Sequence, residues 1–423
     1  MGYNHPCHIG IVHRRSEKQL GTPGGDMRFD SNIYYHEVEQ YPADKLMEEW
    51  KETALLYDQT EFTGVWVGEH HFWYSGWPVA APNPVQVCTF FAGLTERIRV
   101  GQTACILPDW NPIRLAEELA MLDNMTKGRL DVGIARGTDS TASIQFNVNA
   151  NRRDRETNYA LFSETLDILL KAWEDGPFSH QGRFYTYPVP GWKEKDPSIY
   201  VGDTSHFGPD GELVGLHVMP KPYQKPRPPI YQAADSTSSY TFAGTRGICT
   251  TTVGRTFDGV REAWNAYQDA ASKAFGRNMP FARTPDGKSL NVMRLTHVAE
   301  TQEQAEKEAR LGVNAFFRAA VGINDRWGRT GSAAVDEELT SDELNMDWFD
   351  FAQAKEITWV GSPDYVADKI AKLQEELDCE HVTLWPNPGF VPFETVYHSL
   401  ELFADKVIPR FQRESLGAPV AAS

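Results

Sequence analysis

Short runs of β-branched and aromatic residues alternate along this chain with longer stretches in which apolar positions recur every three or four residues. That is the pattern of strands followed by amphipathic helices. Strands are predicted at His8 to Val12, Gly64 to Gly68, Ile98 to Ala104, Leu130 to Ala135, Ile230 to Ala233, Gly247 to Thr252, Asn291 to Val298 and His381 to Trp385. Helices are predicted over 42–57, 83–94, 113–125, 152–173, 235–244, 257–275, 301–320, 364–377 and 393–411. Strand and helix alternate four times in succession in the first third, which implies a parallel sheet, and this regularity favours a closed barrel over an open sheet. The fold class is therefore α/β, a (β/α)8 barrel.

Three stretches break the alternation. Residues 13–40 are polar and glycine-rich, too long for an ordinary turn, and are expected to lie over the barrel's active face. Residues 177–229 are rich in proline, glycine and aromatic residues and end in the extended run Lys221-Pro222-Tyr223-Gln224-Lys225-Pro226. They read as an insertion packed beside the barrel mouth, or as an ordinary surface excursion. Residues 322–354 carry Gly328, Gly331 and an acidic run, and read as a solvated loop or a lid. One domain over 1–412 holds all three, and 413–423 forms a flexible tail.

Charge narrows the partners. The 423 residues carry 41 basic against 58 acidic side chains, a net −17, which repels nucleic acid and anionic lipid. No window approaches the ~20 continuous apolar residues of a membrane span, and the start lacks a signal peptide's basic and apolar regions. A cytoplasmic protein is expected. The cysteines (Cys7, Cys88, Cys105, Cys249, Cys379) are widely spaced without a Cys-x-x-Cys pair, and read as buried free thiols.

The second strand ends abruptly in Glu69-His70-His71-Phe72. In parallel barrels the C-terminal ends of the strands face the ligand, so polar chemistry placed there points to function, and His70 reads as the chemical centre. Adjacent histidines in an extended segment point to opposite faces and cannot readily chelate one ion, so no metal site is expected. His71 reads as a structural histidine with its tautomer set by Glu69. Asp235-Ser236-Thr237-Ser238-Ser239 precedes a helix and reads either as N-capping or as a phosphate cradle of hydroxyls and free N–H groups. Phe72, Trp73 and Trp77 wall a substrate pocket, or pack in the core.

Glu69-His70-His71-Phe72, Ile106-Leu107-Pro108 with Asn111-Pro112, Leu115-Ala116-Glu117, Lys127-Gly128-Arg129, Gly133-Ile134-Ala135-Arg136-Gly137, Gln224-Lys225-Pro226-Arg227-Pro228-Pro229 and Val360-Gly361-Ser362-Pro363 resemble, in order, the bacterial luciferase-like flavin-dependent monooxygenases. The resemblance implies a barrel with FMN at the strand C-terminal ends. It implies FMNH2 supplied by a separate NAD(P)H:flavin reductase, reaction with O2 to a C4a-hydroperoxide, and hydroxylation or Baeyer-Villiger oxidation of an apolar organic molecule. It also implies a homodimer. His70 matches the family's base or proton donor, and Arg136, Thr138, Asp235, Ser236 and Ser239 match positions around the FMN phosphate. Thr103-Ala104 matches a place near the flavin ring where a non-prolyl cis peptide occurs. Histidine suits proton transfer near neutral pH because its unperturbed pKa is about 6.5. Ala135 departs from the reactive cysteine of true luciferases, which argues against light emission. Two alternatives accompany this reading: hydride transfer with a deazaflavin (F420), and a non-catalytic flavin-binding barrel subunit.

Overall fold

The computed structural model describes residues 27–33, 41–72, 81–138, 140–323, 328–386 and 390–412. Eight parallel strands close into a barrel: β1 Arg28–Asn32, β2 Gly64–Val67, β3 Arg99–Gln102, β4 Leu130–Ala135, β5 Ile230–Ala234, β6 Cys249–Val253, β7 Asn291–Val298 and β8 His381–Trp385. Closure runs through Arg28 opposite His381 and Asn291 opposite both Thr251 and His381. Around it lie α1 Ala43–Gln59, α2 Pro84–Leu94, α3 Pro112–Met125, α4 Arg155–Trp173, α5 Thr237–Arg246, α6 Phe257–Phe275, α7 Gln302–Ile323, α8 Pro363–Leu377 and α9 Phe393–Leu402. The expected (β/α)8 barrel is the observed architecture.

The first strand differs from expectation. His8 to Val12 lies outside the described residues, and the strand that closes the barrel, Arg28–Asn32, falls inside the segment read as an insertion. Its alternation is inverted: the charged and amide side chains Arg28, Asp30 and Asn32 point into the barrel. Arg28 bridges Asp30 and Asp131, both at 2.6 Å, and Asp131 also pairs with Arg99 at 2.7 Å. Asp30 further accepts from Trp66 Nε1 at 2.8 Å and lies 2.8 Å from His381 Nε2. A charged face marks a solvent-facing segment by pattern alone; here the charges are paired inside the barrel.

Trp66 fills the space that small residues leave in this interior. A Cβ on Gly101 would lie 2.6 Å from its ring, and one on Gly133 would sit 1.5 Å from Gln102 O, so both strands require glycine there. The main apolar core lies between barrel and helices, around Trp50, Phe91, Leu119, Leu166, Trp264 and Ile370.

Residues 177–229 form a small hairpin, His180–Gln181 against Thr186–Tyr187, a short helix Pro197–Tyr200 and isolated bridges such as Phe178 to Leu216. The described part of 322–354 is no solvated loop. It forms short helices Arg329–Ser332, Ser341–Asn345 and Trp348–Ala354, and Phe349 and Phe351 pack with Phe316 and Phe317 of α7 in a satellite core. An unforeseen strand, Thr358–Gly361, pairs with the end of β7. The 413–423 segment lies outside the described residues. Among the described residues no helix is long and apolar enough to cross a membrane.

Candidate active site

Strands β2 to β5 are consecutive neighbours in the barrel, so the residues after their C-terminal ends share one half of the mouth. After β2, the buried Glu69 carboxylate accepts from Ile106 N at 2.9 Å and Trp110 Nε1 at 2.8 Å, and lies 2.8 Å from His71 Nε2. One carboxylate thus ties the end of β2 to the loop after β3 and orients His71. His70 carries a backbone bond from its N–H to Ala81 O at 3.2 Å. Burial, and next the neighbouring His71, lower its pKa to about 4. His70 is therefore a neutral imidazole at pH 7, able to donate from one nitrogen and accept at the other, and titrates well below the value of about 6.5 expected of an unperturbed histidine.

Beside it, β3 stops at Gln102 and the Thr103–Ala104 peptide is cis. Thr103 N donates to Val67 O at 2.7 Å, and its hydroxyl donates to Asn32 Oδ1 at 2.7 Å. Chain continuity resumes with Cys105–Ile106 pairing to the end of β4. Thr103, Ala135 and Ala233 are only part-buried, so small and polar groups line this part of the mouth.

After β4 and β5 lies a cavity of about 490 Å³ lined by Arg136, Arg152, Arg155, Glu156, Tyr159, Ala160, Arg183, Asp235, Ser236 and Ser238. Four guanidinium groups face two carboxylates, an excess of two positive charges in a strongly acidic protein. Ser236 is the N-cap of α5, yet its side chain makes no capping bond. Its hydroxyl lies 3.1 Å from Ser238 Oγ and 2.9 Å from Ser239 Oγ; the N–H groups of Ser239 and Tyr240 donate to Ser236 O at 2.8 and 3.2 Å, so an N–H presented to a ligand here is that of Thr237 or Ser238. Arg136 stacks near Tyr159, with its guanidinium carbon 5.5 Å from the ring centre. Burial, then repulsion from Arg152, lowers its pKa to about 10. A dianion would relieve that repulsion. The donor set fits a phosphate monoester such as that of FMN.

A family model described as luciferase-like monooxygenase matches residues 27–378. The chain belongs to that family. This luciferase-like monooxygenase is accordingly an oxidoreductase, a flavin-dependent monooxygenase. It is 26% identical over 396 residues to the oxygenase component of the flavin-dependent trigonelline monooxygenase of Acinetobacter baylyi, covering 92% of this chain and 97% of that one. In fold it is similar to the oxygenating constituent of 3,6-diketocamphane monooxygenase from Pseudomonas putida, a structure in complex with FMN, with TM-score 0.71, 22% identity and coverage of 92% and 100%. It is similar too to an F420-dependent secondary alcohol dehydrogenase, with TM-score 0.64, 15% identity and coverage of 92% and 100%.

Of the residues picked from sequence, Arg136, Asp235 and Ser236 come together in the cavity of this luciferase-like monooxygenase, and His70, Thr103 and Ala104 sit on the adjoining strand ends. Ser239 is buried behind Ser236 and reaches the cavity only through that hydroxyl. Thr138 is exposed and outside the lining, because the chain turns at Gly137, φ 81°. Phe72 is 49% exposed, stacked 5.7 Å from Phe146, so it belongs to the surface of the mouth rather than the core. Trp73 and Trp77 lie outside the described residues.

Sequence reasoning missed Arg152, Arg155, Arg183 and Asp109, while Ser238 of the serine-rich cradle stretch does line the cavity. Arg152-Arg153-Asp154-Arg155, a basic cluster in an acidic chain, was a usable signal for the first two. Arg183 had none, since only the insertion's hairpin brings it to the cavity. Asp109 accepts from Ser143 Oγ at 2.9 Å, and its other oxygen is buried without a partner. Burial raises its pKa to about 7.

Proposed function

We propose that this protein is the oxygenase of a two-component system, taking FMNH2 from a separate NAD(P)H:flavin reductase and oxidising an apolar organic small molecule by hydroxylation or Baeyer-Villiger insertion. The observation that carries the reading is the arginine and serine cavity at the N-terminus of α5, which has the charge and donors a flavin phosphate needs, next to the strand ends holding His70 and Thr103. The relative named as an oxygenase component supports a reductase partner.

The residues divide the work. Arg136, Ser236, Ser238 and the first two N–H groups of α5, those of Thr237 and Ser238, hold the phosphate and so fix the flavin's reach into the barrel. Bound reduced flavin supplies the O2 activation and oxygen transfer. His70, neutral at pH 7, holds or passes a proton at an imidazole nitrogen. Phe72 and Phe146 present apolar surface at the entrance. Exposed Phe90 on α2 with Met121 and Met125 on α3 offer an apolar face for a homodimer, the assembly we propose.

The test is Arg136→Ala, assayed by anaerobic titration calorimetry with photoreduced FMN. The expected loss is roughly 1.5–3 kcal/mol, that of a charge-assisted hydrogen bond. Wild-type affinity in the variant would remove the cavity from the account. The deazaflavin alternative has fold likenesses at 15–16% identity behind it, and FMN is the reading we keep.

A further inference from the structure

We infer that Arg183, supplied by the 177–229 insertion, is a specificity-determining residue that completes the phosphate pocket, so that the insertion makes the site select a phosphorylated flavin over its dephosphorylated form. This rests on the reading of the cavity as the flavin phosphate site.

Three observations carry it. The first is placement. Arg183 lines the cavity opposite residues of the barrel's own strand ends, and it alone of the lining side chains comes from the insertion. Its Nη2 lies 3.3 Å from Thr157 Oγ1 in the first turn of α4, the helix that also contributes Arg155 and Tyr159.

The second is that its backbone is pinned. The Glu164 carboxylate of α4 accepts from the N–H groups of Arg183 at 3.0 Å, Phe184 at 3.1 Å and Tyr185 at 2.9 Å, and lies 3.1 Å from His180 Nε2. One part-buried carboxylate thus gathers the whole hairpin turn onto the helix. Gly182 admits that carboxylate: a Cβ there would lie 2.2 Å from Glu164 Oε1. A long, flexible side chain rooted in a fixed turn loses less freedom on gripping a ligand than one rooted in a loose loop.

The third is that the guanidinium is held only by weak partners: besides the Thr157 hydroxyl, its carbon lies 5.1 Å from the centre of the Phe184 ring. Its carboxylate neighbour Glu156 is 3.9 Å away and 93% exposed, a pair worth little in water. Without Arg183 the cavity's positive excess falls from two charges to one, one short of a phosphate dianion. With it, the residues lining the cavity balance a dianion. A flavin lacking the phosphate gains nothing from this group, so its contribution is one of selection.

The experiment is anaerobic calorimetry of the full chain with photoreduced FMN and photoreduced riboflavin, with inorganic phosphate as competitor. Wild type, Arg183→Ala, Arg183→Lys and Glu164→Ala are compared. For Arg183→Ala we expect FMN to bind about tenfold more weakly, riboflavin to bind unchanged, and inorganic phosphate to compete less well. Arg183→Lys should recover part of the loss, since it keeps the charge without the fork. Glu164→Ala should reproduce the loss, and the double variant should be no worse than either single one, because Glu164 acts by positioning Arg183. Equal FMN to riboflavin ratios in wild type and Arg183→Ala would overturn the inference while leaving the cavity reading intact. A wild type that binds riboflavin as tightly as FMN would overturn both.

Discussion

At the residue scale the site turns on how burial changes familiar groups. His70 was found from sequence because it ends an apolar strand in an abruptly polar motif, but its protonation state was not, since that depends on what covers it. With a pKa near 4, it stays neutral through the physiological range. His70→Ala should therefore bind reduced FMN within about twofold of wild type yet slow oxygenation by roughly two orders of magnitude, the usual contribution of a positioned acid or base. Unchanged turnover in that variant removes His70 from the chemistry. Asp109 is the opposite case, a carboxyl whose folded pKa is raised to about 7. The unfolded chain releases this proton near pH 4, so the group's stabilising effect is complete below that and is lost as pH rises through 7. Replacing it by asparagine removes that loss. Urea denaturation of Asp109→Asn should show a gain over wild type near pH 8 of roughly 1–3 kcal/mol, vanishing near pH 4; a difference independent of pH would contradict the assignment.

At the element scale, strands and helices with clear apolar periodicity were readable almost to the residue. The strands at Asn291–Val298 and His381–Trp385 and the helix at Phe257–Phe275 fall where they were expected. β1 escapes the pattern because its inward face is charged, and the acidic run from Asp336 reads as loop or lid because polar composition hides short helices that bury a few large aromatics. The hairpin at 180–187 was unreadable for a related reason: its ordering force is one distant carboxylate, Glu164. Gly182→Ala tests that dependence. The added Cβ displaces Glu164, and the variant should lose hydrogen-exchange protection at the Arg183, Phe184 and Tyr185 amides while the barrel strands keep theirs. Retained protection at those three amides would show that the hairpin is held by something else.

At the scale of the whole molecule the barrel divides its two ends by chemistry. The end where the strands begin is closed by the Arg28, Asp30, Arg99, Asp131 and His381 network, in which Arg28 holds Asp30 ionised far below the ordinary carboxylate range despite burial. The other end carries the histidine, the cis peptide and the arginine cavity on neighbouring strands. Eight strands and the order of the motifs were enough to place this end from sequence. The convergence of four arginines, from the end of β4, α4, the segment just before α4 and the insertion, was not, because no spacing along the chain records it. The measurement that tests the account most directly is anaerobic stopped-flow: the protein is loaded with photoreduced FMN, mixed with O2, and followed for oxygen uptake and for the return of oxidised-flavin absorbance. The account predicts that oxygen disappears first and oxidised FMN returns after a delay, with the delay shortened in His70→Ala. Oxidation of FMN at the rate of the free coenzyme, together with turnover supported by a reduced deazaflavin without oxygen uptake, would contradict it.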